Sequence, residues 1–324
     1  MSDHSPIAAP AANVARPFWS VMIPTYEPQP HFLRQAVASV LDQDPGPEAM
    51  EIVLVDDCSQ RVDPRTALDG GAAKRVGWVR QAGHVGIGAN WNSCIQHARG
   101  QWIHLLHQDD LLRPGFYARL RAGIEAAPTA GAAVCRDVVI DRDDRRVADQ
   151  RLMRTTPGIV EDWIEHVFVS LHLRASALVV RRSVYEALGG FRLDLSYALD
   201  WDMWKRIVAA YPLWYEPEVL ACYRRHDDSA TLAFQRSGAN LAEIARSIAL
   251  SEVALPAAIA ATTARRARER YTRYAAGLAW GAVARRDVRA ALAQLRGARR
   301  LTSTRTLAHA IWCERPRRVR TSPR

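Results

Sequence analysis

Met50-Glu51-Ile52-Val53-Leu54-Val55-Asp56-Asp57-Cys58-Ser59 is the stretch on which the fold turns. Its apolar run does not alternate with polar residues and stops abruptly at two aspartates. A continuous apolar run of this length reads as a strand buried on both faces, as in a parallel sheet covered by helices. The theme returns in WIHLLHQDD (102–110), where the run ends at Asp109 and Asp110. One such pair is often only a turn. Two pairs, each closing a buried strand, point to a polar edge of one sheet.

Working outward, WSVMIPTY (19–26) is a short strand ended by Pro24, and HFLRQAVASVLDQ (31–43) has helical apolar spacing. KRVGWVRQ (74–81) supplies a third strand, and GIGANWNSCIQHARG (86–100) a helix closed by Gly100. A helix beginning near Pro114 and a strand in GAAVCRDVVID (131–141) follow. The alternation predicts an α/β fold, with a mostly parallel central sheet and flanking helices. Ligands of such sheets bind beyond the C-terminal ends of the strands.

Residues 141–158 read as a polar, mobile loop that would close over the site and exclude water. Beyond it come a strand and short helix ending at Gly189–Gly190, then a helix in SYALDWDMWKRIVAAYP (196–212) stopped by Pro212. After Leu232 an Ala/Arg-rich pattern predicts two or three amphipathic helices. The expected organisation is a flexible leader (1–17), a catalytic domain (18–240) and a helical extension (241–324). The domain divides into a nucleotide-binding half (about 18–139) and an acceptor half (about 140–240).

Charge is uneven. The 324 residues carry +10, but residues 261–324 hold 17 arginines and no lysine against Glu269, Asp287 and Glu314, leaving −4 on the first 260. A tail of this kind suits an anionic surface. No apolar stretch is long enough for a membrane span, and the N-terminus lacks the pattern of a secretory signal. Five scattered cysteines, none as CxxC, exclude a zinc knuckle or disulfide scaffold and suit a reducing cytoplasm. No zinc finger, helix-turn-helix or RNA-binding strand is visible, so no nucleic acid is expected.

Six ordered elements between Trp19 and Ser229 together resemble the inverting glycosyltransferases of family 2, which have the GT-A fold. SVMIPTYEP resembles the family's V-x-I-P-x-Y/F-N, and EIVLVDDCS its I-x-V-D-D-x-S. GIGANWNSC falls in its G-x-x-x-A-x-N region, with Asn90 and Asn92 both open as the equivalent asparagine. LLHQDDLLRPGF resembles L-D-x-D-D-x-x-x-P, with His107 where the first Asp is usual. SYALDWDMWKRI resembles E-D-x-D-L-W-x-R, with Leu199 in place of the Glu, and LACYRRHDDSAT resembles Y-R-x-H-x-x-S.

The resemblance implies a transfer from a nucleoside-diphosphate sugar, UDP- or dTDP-linked, to a hydroxyl of a glycan or lipid-linked saccharide. It places Pro24, Thr25, Tyr26, Glu27, Asp56, Asp57, Asn90, Asn92, His107, Gln108, Arg225 and His226 around the donor. Glu27 would accept hydrogen bonds from the ribose hydroxyls. Mn²⁺ or Mg²⁺ would sit on Asp109, with Asp110 assisting and His226 approaching; hard cations prefer these oxygen ligands to the imidazole of His107. Asp200 would be the general base, with Asp202 its rival; Trp201 and Trp204 would offer ring faces to the acceptor or pack in the core, the core being favoured for Trp204. The basic tail implies peripheral attachment at the inner face of a bacterial membrane, as in O-antigen or surface-polysaccharide synthesis. The replacements at His107 and Leu199 leave a second reading, a degenerate module that binds a nucleotide without turnover. A nucleic-acid-binding protein is a third.

Overall fold

The computed structural model describes residues 5–9, 16–227 and 229–315. The chain divides into two compact units, one of residues 1–167 and 171–226, the other of 168–170 and 227–324.

The first unit is built on β1 (Trp19–Thr25), β2 (Met50–Asp56), β3 (Gly77–Arg80), β4 (Trp102–Leu105), β5 (Leu111–Leu112), β6 (Ala132–Ile140), β7 (Arg146–Asp149), β8 (Gly158–Ile159), β9 (Leu178–Arg181) and β10 (Leu213–Arg224). Among the described residues these form one sheet in the order β3-β2-β1-β4-β9-β6-β10-β5, with β7 on β6 and β8 on β10. The expected parallel sheet is its β3-β2-β1-β4 half. Beyond it β9 runs antiparallel to both β4 and β6, and β10 is again parallel to β6. The C-terminal ends of β1, β2, β4, β6 and β10 therefore share one edge. All seven residues of β1 are buried, which explains why its sequence does not alternate.

Helices α1 (Pro30–Leu41), α2 (Gly70–Arg75), α3 (Ile87–His97), α4 (Phe116–Ala126), α5 (Trp163–Val169), α6 (Arg182–Leu188) and α7 (Leu199–Ala210) complete this part of the chain. α1 buries Phe32, Leu33, Ala36, Val37 and Val40, the stripe its spacing predicts. α3 ends at His97 rather than running to Gly100. Gly100 is small for another reason: a Cβ there would come 2.6 Å from the Ser20 nitrogen.

The 141–158 segment is more ordered than its polar composition suggests. Asp141 and Arg145 close a turn, through the Asp141 N–H on the Arg145 carbonyl, and β7 then pairs with β6. Within the segment read as a leader, Ile7 is buried, and the Ser5 carbonyl accepts from the Gly190 N–H. Residues 1–4 and 10–15 of that segment lie outside the described residues.

The second unit is helical: α8 (Ala230–Ser237), α9 (Ala239–Ala254), α10 (Ala257–Ala284), α11 (Val288–Ala298) and α12 (Thr304–Cys313). Among the described residues five helices stand where two or three were expected. The periodicity runs on, but Gly238 in the left-handed region, Pro256 and the capping side chains of Asp287 and Ser303 cut it. Alanines explain how the helices pack so closely. α10 buries Ala264, Ala267, Ala275, Ala276, Ala279 and Ala282, and α11 meets it with Ala290 and Ala291. No helix among the described residues is long and apolar enough to cross a membrane.

Candidate active site

The loop after β4 carries the cluster. One ligand atom from each of His107, Asp109 and Asp110 lies within 4.8 Å of the others, an arrangement able to hold a metal ion. Asp110 is 0% exposed. Its Oδ1 accepts from the Arg224 N–H at 2.8 Å, while its Oδ2 has no hydrogen-bond partner and faces His107 Nδ1 at 3.5 Å. Burial, then the charge of Asp109, holds its carboxyl well above the usual carboxylate range. Burial also lowers the pKa of His107, against the opposing pull of Asp109, so the ring favours the neutral form that can ligate a metal. His107 Nε2 and His226 Nδ1 are likewise buried without hydrogen-bond partners. Orphaned acceptors beside two carboxylates are costly in a closed protein and fit a divalent cation.

The end of β10 completes the cluster. His226 Nε2 lies 2.9 Å from Asp109 Oδ2. Arg225 is exposed, and its N–H donates to the Ile140 carbonyl. Its neighbour Arg224 is fully buried and hydrogen-bonded to the Asp109 and Asp141 carbonyls and to Gln35.

The residues expected at the nucleotide divide into two groups. Tyr26 is 44% exposed, and its ring stacks on His84 at 4.1 Å. Sequence reasoning missed His84; its place in the loop between β3 and α3, after a pair of turn residues, was the available signal. Gln108 pairs with the backbone of Tyr26 at both ends of its amide, 2.9 and 3.2 Å, tying the β4 loop to the end of β1. Pro24 and Thr25 are buried in β1, past the last β4 rung at Met22.

Other expected donor residues brace the scaffold. Asp57 accepts from the Val85 and Gly86 N–H groups and meets His84 Nδ1 at 2.9 Å, so it shapes the turn that starts α3. Asp56 is buried and accepts from the Ser59 N–H and hydroxyl. Asn90 Nδ2 donates to the Val55 carbonyl, and Asn92 exchanges two hydrogen bonds with the backbone of Phe191. Glu27, expected at the ribose, also has a scaffold role. Its carboxylate accepts from the Gln60 and Arg61 N–H groups, at 2.8 and 3.1 Å, which binds the β1 and β2 loops together. Burial would raise its pKa, but these N–H groups outweigh burial and lower it.

α7 holds the candidate bases. Asp200 sits in its first turn, half-buried, with Oδ1 accepting from the Trp201 N–H. Asp202 is buried and paired with Arg206 at 2.9 Å, while Arg206 also donates to the Leu188 and Gly190 carbonyls. That pairing ties Asp202 through Arg206 to the end of α6. Trp201 and Trp204 are each 1% exposed, and Trp201 Nε1–H donates to the Val167 carbonyl. Both rings are thus packed in the core, the alternative favoured for Trp204. Trp91 of α3 links this region to the cluster, with His107 at 5.0 Å on one side and Phe191 at 5.0 Å on the other.

A mixed α/β sheet with a partly buried acid–imidazole cluster at its C-terminal edge is an arrangement that suits the GT-A class of glycosyltransferases, whose ligands bind beyond the strand ends. The chain matches the Glycosyl transferase family 2 model over residues 20–189. It is 30% identical over 238 residues to an uncharacterized protein of Mycobacterium tuberculosis, covering 67% of this chain and 69% of that one. It is 35% identical over 136 residues to the succinoglycan biosynthesis protein ExoO of Rhizobium meliloti, covering 39% of this chain and 37% of ExoO. The crystal structure of S. aureus TarS 1-349 in complex with UDP-GlcNAc matches with a TM-score of 0.59 at 15% identity, over 78% of this chain and 70% of that one. The chain belongs to glycosyl transferase family 2, and its reaction is the transfer of a sugar from a nucleoside-diphosphate sugar to a glycan acceptor.

Proposed function

We propose that the chain works with inversion, from a UDP- or dTDP-sugar to a hydroxyl of a lipid-linked glycan, in the assembly of a surface polysaccharide or O-antigen. The observation that carries the reading is the cluster of His107, Asp109, Asp110 and His226, with its unpartnered buried atoms, at the sheet edge. Asp109 and Asp110 would hold Mn²⁺ or Mg²⁺, with His226 and His107 beside them. A divalent ion there supplies charge neutralisation for the departing diphosphate. Tyr26 and His84 offer a stacked aromatic surface to the base, and the exposed Arg225 adds positive charge beside the cluster. Asp200 takes the proton from the acceptor hydroxyl as its oxygen bonds to the anomeric carbon, and the bond to the diphosphate oxygen breaks on the opposite face. Asp200 is preferred to Asp202 because it is half-buried, whereas Asp202 is buried and ion-paired with Arg206.

The acceptor class rests on the likeness to a succinoglycan biosynthesis protein and on the surface of the helical unit. α11 exposes Val288 and Leu292 among Arg289 and Arg296, with Arg285 and Arg286 just before it. Apolar side chains within an arginine-rich helix face suit the interface of an anionic membrane. The boundary drawn at residue 240 between catalytic domain and extension belongs to the same proposal.

Calorimetry with UDP, dTDP and their sugars, with and without Mn²⁺ or Mg²⁺, tests the donor reading. Metal-dependent binding of one nucleotide, lost in Asp109→Ala and kept in Asp200→Ala, is the expected result. Binding of none of them by the intact chain would move the weight to a nucleotide fold without turnover.

A further inference from the structure

Arg224 is the last residue of β10 and is 0% exposed, yet all three of its side-chain nitrogens are used. Its backbone N–H donates to Asp110 Oδ1 at 2.8 Å, and its Nε to the Asp109 carbonyl at 2.8 Å. One guanidinium arm donates to the Asp141 carbonyl and to Asp144 Oδ1; the other donates to Gln35 Oε1 at 3.0 Å. Gln35 in turn donates to Asp144 Oδ2 at 3.0 Å. The guanidinium lies over the Phe32 ring at 4.3 Å, and the same ring packs against His226 at 5.2 Å. Among these partners Asp144 is the carboxylate paired with the buried cation, and it is itself 45% exposed.

We propose that Arg224 is a positioning residue that makes the turn of residues 141–145 and the Asp109–Asp110 loop one mechanical unit, with Asp144 as the latch. The proposal rests on the reading of that loop as the metal site, but the latch itself does not need the metal. Three segments far apart in sequence share one rigid, planar donor, so releasing any of them changes the forces on the rest. The Asp144 pair differs from an ordinary surface ion pair. One partner is fully buried, and losing the carboxylate strands a charge away from water. A guanidinium that loses this carboxylate is left with the Asp109 and Asp141 carbonyls and Gln35 Oε1, so its hold on the Asp109 loop changes with the turn. The turn thereby reports on the metal loop, and the metal loop on the turn.

Hydrogen exchange on the full chain without metal reads the latch directly. In Asp144→Asn, amides in residues 141–145 and in residues 107–112 are both expected to exchange faster, with Asp144→Glu close to the native pattern. Faster exchange confined to 141–145 would overturn the proposal, and so would no change in either segment. Titration with Mn²⁺ alone adds a readout that a merely structural turn would not move. Loss of an outer-shell partner of this kind weakens metal by roughly tenfold or more, so Asp144→Asn is expected to bind Mn²⁺ about that much more weakly and Asp144→Glu to restore it. Unchanged Mn²⁺ affinity in Asp144→Asn would overturn the coupling. Failure of the native chain to bind Mn²⁺ would count against the metal reading, while the exchange pattern still decides the latch.

Discussion

His226 Nε2 lies 2.9 Å from Asp109 Oδ2, joining the end of β10 to the loop after β4. The contact sets an imidazole two residues past the end of β10 against a carboxylate of the candidate metal cluster. An imidazole fixed in this way orients its partner as well as approaching the ion.

Removing that ring therefore has a defined consequence. His226→Ala is expected to weaken metal-dependent nucleotide binding by about 10- to 100-fold. Asp109→Ala should abolish it, with both variants keeping a native circular-dichroism spectrum. Equal metal affinity in His226→Ala and the native chain would remove His226 from the site.

The two aspartates of α7 should separate cleanly. Asp200→Asn is expected to lower kcat by about 10²- to 10⁴-fold with donor affinity retained, the range for loss of a general base. Asp202→Asn should instead lower stability, by about 1 to 3 kcal/mol, because it leaves the partly buried Arg206 without its carboxylate. Denaturant unfolding and steady-state kinetics on both variants check this. A larger kcat loss in Asp202→Asn than in Asp200→Asn, at unchanged stability, would reverse the assignment.

Lys205 gives a pH signature. Burial lowers its pKa from 10.5 to about 7, with Asp202 acting the other way, and its Nζ lies 4.1 Å from the Trp201 ring centroid. A depressed lysine costs stability wherever the unfolded chain is charged and the folded site resists charge. The cost is fully present below pH 7, relieved as pH rises from about 7 towards 10.5, and absent above it. Every tenfold loss of proton affinity on folding corresponds to about 1.4 kcal/mol. Lys205→Met should therefore exceed the native chain in stability at pH 7, with the gap narrowing towards pH 10. Denaturant unfolding across that pH range measures it, and a gap independent of pH would show that the lysine is not desolvated.

The arginine-rich face of α11 predicts binding to phosphatidylglycerol vesicles but not to neutral phosphatidylcholine vesicles, weakening as salt is raised. Replacing Arg285, Arg286 and Arg289 with Gln should lower the affinity, at about 1 kcal/mol for each arginine near the surface. Sedimentation of the full chain with the two vesicle types measures it. Indifference to lipid charge would refute the electrostatic docking.

Much of the fold was legible because burial on both faces leaves a local mark. β1 and β2 are continuous apolar runs, and the aspartates at the end of β2 fall at the edge where the sheet stops. β7 and β8 were not legible, since they are short and carry little apolar patterning, and only pairing with β6 and β10 makes them strands. The breaks in the helical unit depended on caps whose value appears when a side chain actually reaches an N–H. At the site, the Asp109–Asp110 pair could be picked out because it follows a buried apolar run, while His226 was reached only through the family resemblance. Glu27, Asn90 and Asn92 could not be sorted from ligand-binding residues, because a carboxylate or amide serves a backbone group as readily as a ribose hydroxyl.

The sequence by itself determined the α/β class, the polar edge of the sheet, the acidic loop and the separate, arginine-rich character of the last sixty or so residues. Those follow from hydrophobic run length, periodicity and charge, which are local properties. Tertiary structure alone decided which polar groups are committed to the scaffold. It gave Asp202 to Arg206, Glu27 to two backbone N–H groups, and Trp201 and Trp204 to the core, and it set Arg224 among three distant segments. A polar side chain's role depends on which partner reaches it first in the folded chain, and that partner is most often far away in sequence.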